Sequence, residues 1–186
     1  KKGIITYEST DEKKLRNNFL KLFKQCPLPD NQILSNLGLF LNSKNLSRIL
    51  FMDFIYKNII DVQGIVMEFG VRWGQNLSLF SALRGIYEPY NRHRKIVGFD
   101  TFKGFPSINE KDGTSDMMKK GQLALTDDYD VYLGEILENQ EKDNPLGHIK
   151  KYEIRKGDAT KQIHDYLESN PETIIALAYF DFFLGS

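Results

Sequence analysis

Ile65-Val66-Met67-Glu68-Phe69-Gly70-Val71-Arg72-Trp73-Gly74-Gln75-Asn76 is a short apolar run with an acid near its end, followed by a turn bounded by two glycines. Leu77, Leu79, Phe80, Leu83 and Ile86 then continue at roughly helical spacing. Strand, glycine turn and helix in that order open an α/β unit. Three more runs repeat the pattern: Lys95 to Asp100; Tyr152 to Arg155, reaching Gly157-Asp158-Ala159 before a helical stretch from Lys161 to Ser169; and Thr173 to Asp181. Apolar strands alternating with helices predict a mainly parallel sheet covered on both faces, a doubly wound α/β domain.

Outward from this centre the chain changes character. Ser9, Thr10 and Asp11 are N-cap candidates for a helix carrying Leu15, Phe19, Leu22 and Phe23, which Pro27 and Pro29 end. A second helix follows Ser43, with Leu46, Ile49, Leu50 and Phe54 on one face. We expect residues 1–63 to form an N-terminal helical cap and 64–186 the α/β domain. Within the latter, 107–147 is a polar excursion with one helix between about 127 and 141, either a lid over a site or a surface loop.

The bulk numbers exclude several classes. With 186 residues, 41% hydrophobic and 27% charged, the chain has the composition of a globular domain rather than a disordered one. Basic and acidic residues balance at 25 each, so no overall field recruits nucleic acid or anionic membrane. The local clusters Arg92-His93-Arg94-Lys95 and Lys150-Lys151 each precede an apolar run and are expected to be solvated strand starts. No apolar run reaches the roughly 18 residues of a membrane span. Cys26 is the only cysteine, which fits a reducing compartment such as the cytoplasm and excludes an internal disulfide. The start lacks the apolar stretch of a signal peptide and also lacks Met, so trimming at that end is expected.

All four runs end in, or soon reach, an acid: Glu68, Asp100, Asp158 and Asp181. Ligands of open parallel sheets bind outside the carboxyl ends of the strands, so these acids should line one edge of the sheet. Gly70 and Gly74 permit close backbone approach and positive φ. Asn76 is placed to cap the next helix, whose first amides suit a carboxylate. The G-x-x-x-G spacing differs from the G-x-G-x-x-G of dinucleotide folds and favours a smaller anion than a pyrophosphate. Asp100 has the position of an acid that holds ribose hydroxyls. Asp158 suits either an adenine amine or the cap of the following helix. Trp73 either walls the pocket or packs on the N-terminal helices, and the other aromatic residues are expected to serve packing.

Glu68-Phe69-Gly70-Val71 with Gly74, followed about thirty residues on by Val97-Gly98-Phe99-Asp100-Thr101-Phe102-Lys103-Gly104-Phe105-Pro106, resembles the macrocin O-methyltransferase family. The resemblance covers residues 64–181 and is faint in 107–147. It implies a class I, Rossmann-like methyltransferase that uses S-adenosylmethionine and magnesium to methylate a sugar hydroxyl of a small-molecule glycoside. It also implies residue roles. Glu68, Gly70, Gly74 and Asn76 would surround the methionine part, Asp100 and Thr101 the ribose, and Asp158 and Ala159 the adenine. Asp181 would be a catalytic and magnesium-binding acid, the first of a D-x-D motif.

Two departures qualify this. The usual G-G-S is Gly74-Gln75-Asn76, and the second acid of D-x-D is Phe183. C-terminal strands of the family are expected to be missing, leaving the metal site incomplete and a sheet edge that favours homo-oligomers. Two other readings stay open: a non-catalytic relative that keeps the cofactor pocket, and a nicotinamide-dependent enzyme. The absent G-x-G-x-x-G argues against the latter.

Overall fold

A computed structural model describes residues 9–103 and 128–181, and the chain divides into two compact units, 1–51 and 52–186. In the first unit, helix α1 (Thr10–Lys24) starts at a capping box. The Ser9 hydroxyl accepts from the Glu12 amide at 3.3 Å, and a Glu12 carboxylate oxygen accepts from the Ser9 amide at 3.0 Å. A short helix α2 (Asp30–Ile33) runs into a 3₁₀ segment, Leu34–Phe40, whose Phe40 ring meets Phe23 edge-on at 4.8 Å. Helix α3 (Ser43–Lys57) leads out of this unit into the second.

The second unit is a four-stranded parallel sheet of order β3-β2-β1-β4, made of β1 (Ile65–Phe69), β2 (Ile96–Asp100), β3 (Tyr152–Lys156) and β4 (Ile175–Phe180). The helices are α4 (Gln75–Tyr87), α5 (Tyr129–Asp143) and α6 (Ala159–Ser169). Side chains alternate across a strand, so β1 and β2 feed two cores. Val66 and Ile96 pack with Leu77 and Phe80 of α4 and Leu133 and Leu137 of α5. Met67, Phe69, Val97 and Phe99 pack with Tyr166 of α6 on the other face. Phe69 stacks between Phe99 and Phe180 at 4.9 and 4.8 Å, because the parallel register sets the three rings side by side. Gly98 has a steric reason: a Cβ there would lie 2.7 Å from Val71 Cγ2 and 3.0 Å from Leu77, so glycine lets the turn and α4 sit close on the sheet.

The expected doubly wound α/β sheet is present, but its strands are not apolar and covered throughout. β3 carries Glu153 and Arg155 and is only half-buried, and Ile175 and Phe180 of β4 are exposed. Both are edge strands, which take protection from one neighbour only.

The two basic clusters also differ from expectation. Arg92 and His93 are solvated, yet Arg94 is 1% exposed and Lys151 3%. Arg94 donates to the carbonyls of Ile59, Val62 and Gly64 and to both oxygens of Glu88, at 2.6–2.9 Å. Burial alone would push the Glu88 carboxyl up. Donors from Arg94, Tyr56 and Asn91 outweigh it and hold that carboxyl below the usual range. The Tyr56 hydroxyl, desolvated and donating to Glu88 at 2.6 Å, is pushed far up. A second buried cluster joins Arg84, bidentate to Glu141 at 2.7 and 2.8 Å, with Lys151 Nζ 2.8 Å from the same carboxylate. These cations tie loops together at the amino ends of β1, β2 and β3, because buried charges persist only where acceptors surround them.

Candidate active site

All four acids lie at the carboxyl edge of the sheet, whose strand order reverses between β1 and β4, but they do not form one cluster. Three groups result.

The first joins β1 and β4. Glu68 is fully buried and points to the α4 face, since it alternates with Met67 and Phe69. Its Oε1 accepts from Asn76 Nδ2 at 2.9 Å, and the same amide nitrogen lies 3.3 Å from Asp181 Oδ2. The Asp181 amide donates to the Phe69 carbonyl at 2.8 Å, fixing this acid one residue beyond β4. Asn76 therefore does not cap the helix. Gly74, in a left-handed conformation at φ 75°, is the N-cap, and Asn76 sits two residues inside α4 with its amide turned to the carboxylates. No side chain caps α4, and first-turn amides have no intrahelical partner. This end of α4 thus keeps the donor character that suits an anion.

The second group holds the glycine turn. Asp100 Oδ2 accepts from the Arg72 amide and Oδ1 from the Phe102 amide, both at 2.7 Å. The acid of β2 thus clamps the turn after β1 and its own Asx turn together. The clamp retains Arg72 at φ 51° and Phe102 at φ 56°, a conformation non-glycine residues rarely adopt. Thr101, next after Asp100, is half-buried, its hydroxyl accepting from the Lys103 amide. Gly70 has φ 89°, its amide donating to the Phe99 carbonyl at 2.9 Å. Gly74 has a different reason to be glycine: a Cβ there would meet Leu133 of α5 at 2.4 Å.

The third group stands apart. Asp158 caps α6, accepting from the Thr160 amide at 2.9 Å and the Thr160 hydroxyl at 2.6 Å. These donors, the hydroxyl first, hold its carboxyl below the usual range. Ala159 opens α6 beside it, half-buried. Of the two uses that sequence left open for Asp158, capping is the one with contacts.

Trp73 is 48% exposed and meets Tyr129 of α5 edge-on, with centroids 4.9 Å apart. The Tyr129 hydroxyl donates to the Trp73 carbonyl at 3.1 Å. Sequence gave no sign of this pairing across fifty-six positions. The Phe102 half of the Asp100 clamp could have been found, since an Asp side chain commonly accepts from the amide two residues on.

The chemistry of this donor set suits S-adenosylmethionine. Carboxylates at Glu68, Asp181 and Asp100 can accept from an ammonium and from ribose hydroxyls, and an uncapped helix start can receive a carboxylate. It does not suit magnesium. Among the described residues no three His, Cys, Asp or Glu side chains gather, and between Glu68 and Asp181 lies the Asn76 amide, a donor. Phe183 and residues 104–127, including the first part of the expected lid, lie outside the described residues. Among those described, no helix is long and apolar enough to cross a membrane.

No protein-family model matches the chain. No curated protein matches it either. Among solved structures, a crystal structure of CalS11, a calicheamicin methyltransferase, matches with TM-score 0.91 and 40% identity, over 97% of this chain and 72% of that one. The apo structure of CalS11, described as a TDP-rhamnose 3'-O-methyltransferase of calicheamicin biosynthesis, matches with TM-score 0.81 and 37% identity, over 96% and 69%. Likeness of this degree, carried on a sheet of the same class with the motif blocks at its carboxyl edge, shows kinship rather than fold alone. The chain belongs to the family of sugar O-methyltransferases that includes CalS11, the macrocin type its two motif blocks resemble.

Proposed function

We propose that the protein transfers a methyl group from S-adenosylmethionine to a hydroxyl of a sugar, and that the sugar is carried on a nucleoside diphosphate, as in the TDP-rhamnose on which CalS11 acts. The observation that carries this reading is the paired arrangement of Asp100 with the glycine turn and Glu68 with Asn76, on either side of the carboxyl end of β1. S-adenosylmethionine, when bound, supplies an electrophilic methyl on a sulfonium sulfur. The chain's residues bind, orient and move a proton.

Asp100 has two carboxylate oxygens, each with further acceptor capacity beyond its bond to a backbone amide. It serves the ribose hydroxyls, with Thr101 beside it. Glu68 and Asn76 take the amino-acid end, Gly70 and Gly74 shape the turn around it, and the α4 amides face its carboxylate. Asp181, exposed at the end of β4, takes the proton of the acceptor hydroxyl, general-base help worth on the order of 10²–10⁴ in rate. Asp158 and Ala159 border the adenine end. Within the expected lid, 107–147, helix α5 carries Leu133 and Leu137 into the core rather than over a site. Cys26, free, fits action in the cytoplasm. Self-association belongs to the same reading.

Calorimetry with S-adenosylmethionine and, separately, NAD tests the cofactor. Binding of the first and not the second is expected, and no heat from the first at millimolar concentration refutes the reading. Asp100→Asn, which can still accept from one of the two clamped amides, is a gentler probe than Asp100→Ala, which releases both.

A further inference from the structure

The carboxyl edge of the sheet has a polar end and an aromatic end. Toward β4 stand Glu68, Asn76 and Asp181. In the middle is the Asp100 clamp on Arg72. Toward β3 stand Trp73, Tyr129 and Tyr132, since the start of α5 is tied to the end of β3 by Lys156 Nζ donating to Asp130 at 2.6 Å. The Tyr129 and Tyr132 rings lie 5.7 Å apart, and Trp73 and Tyr132 are about half exposed. The Tyr129 hydroxyl, bonded to the Trp73 carbonyl, fixes this group to the glycine turn.

Contiguous exposed aromatic surface is seldom left open without a use. Here it begins one residue from the amide that Asp100 holds. A ligand with an ammonium and carboxylate at one end, a ribose in the middle and an aromatic heterocycle at the other matches the order of groups along the edge. We propose that Trp73, Tyr129 and Tyr132 form the ledge on which the adenine ring of the cofactor lies. The assignment rests on S-adenosylmethionine being that cofactor. Planar bases gain from stacking on aromatic faces whatever their hydrogen-bond pattern. The edge-on Trp73–Tyr129 pair leaves ring faces open for such contact.

Trp73 is the only tryptophan in the chain, so its fluorescence reports on the ledge alone. The probe is S-adenosylhomocysteine, with adenosine and methionine as separate arms and calorimetry as an independent measure of binding. S-adenosylhomocysteine and adenosine should shift the emission and reduce its quenching by acrylamide, while methionine should do neither. Tyr132→Ser, an exposed position, and Trp73→Leu should each weaken S-adenosylhomocysteine roughly tenfold, the size of a lost base stack, and leave methionine binding unchanged. Calorimetric binding of S-adenosylhomocysteine with unaltered Trp73 emission and unchanged affinity in both variants overturns the ledge while the cofactor reading survives. An absence of binding in calorimetry overturns both.

Discussion

Gly74 offers a test of why a glycine stands in a ligand-binding turn. Its φ of 75° would strain any other residue, and an added Cβ would lie 2.4 and 2.7 Å from the two methyl carbons of Leu133, itself 1% exposed. Gly74→Ala should therefore lose stability for two reasons: the left-handed backbone, about 1–2 kcal/mol, and overpacking against α5, about 1–3 kcal/mol. Leu133→Ala, which empties a buried leucine site, should cost about 2–5 kcal/mol. In the double variant the new methyl enters the space that Leu133 has left. The overpacking disappears and the two losses should fall short of their sum by about 1–3 kcal/mol. Urea unfolding followed by far-ultraviolet circular dichroism measures all four corners of the cycle. Losses that add within about 0.5 kcal/mol would show that Leu133 is not what demands glycine. Full stability in Gly74→Ala would do the same.

Three further outcomes follow from buried charge and capping. Glu141→Ala leaves Arg84 and Lys151 buried without their carboxylate and should destabilise by about 3–5 kcal/mol in the same assay. Glu88 has its carboxyl held below the usual range, so its contribution is full above the ordinary carboxylate pKa and is lost as pH falls through the lowered folded value. Between the two values, the urea midpoint of the parent should drop with pH more steeply than that of Glu88→Gln, and parallel curves would sink the point. Asp158→Ser keeps an acceptor at the cap of α6 and should stay within a few tenths of a kcal/mol, whereas Asp158→Ala should lose about 1 kcal/mol.

The strands were legible because each central run is apolar and stops at an acid or a glycine, a local signal. What was missed depended on partners far away in the chain. Arg94 looks like a solvated charge in its own neighbourhood, and only the carbonyls of Ile59, Val62 and Gly64 make it a buried hub. Lys151 differs: it is buried by nearer partners, Glu141 and the carbonyls of Leu146 and Ile149, two to ten residues before it. Asn76 was assigned to the cap because Asn is a good cap. Gly74 takes that place through a left-handed turn that α5 packs against, and the helix start moves back by two residues. Of the candidate site, Glu68, Asn76 and Asp181 meet beside β1, while Asp100 holds the glycine turn as a separate group. Asp158 does not join them, since its own helix uses it.

The clamp made by Asp100 bears on how such domains drift under selection. One carboxylate holds the Arg72 amide and the Phe102 amide through the protein's own backbone contacts. A descendant that abandoned methyl transfer would still need an acid there to keep its turn shut, and would go on displaying a motif whose original use had gone. Persistence of that aspartate among relatives therefore reports on folding as much as on catalysis. Glu68, buried and set against Asn76, is the more informative position to follow when asking whether a lineage still methylates.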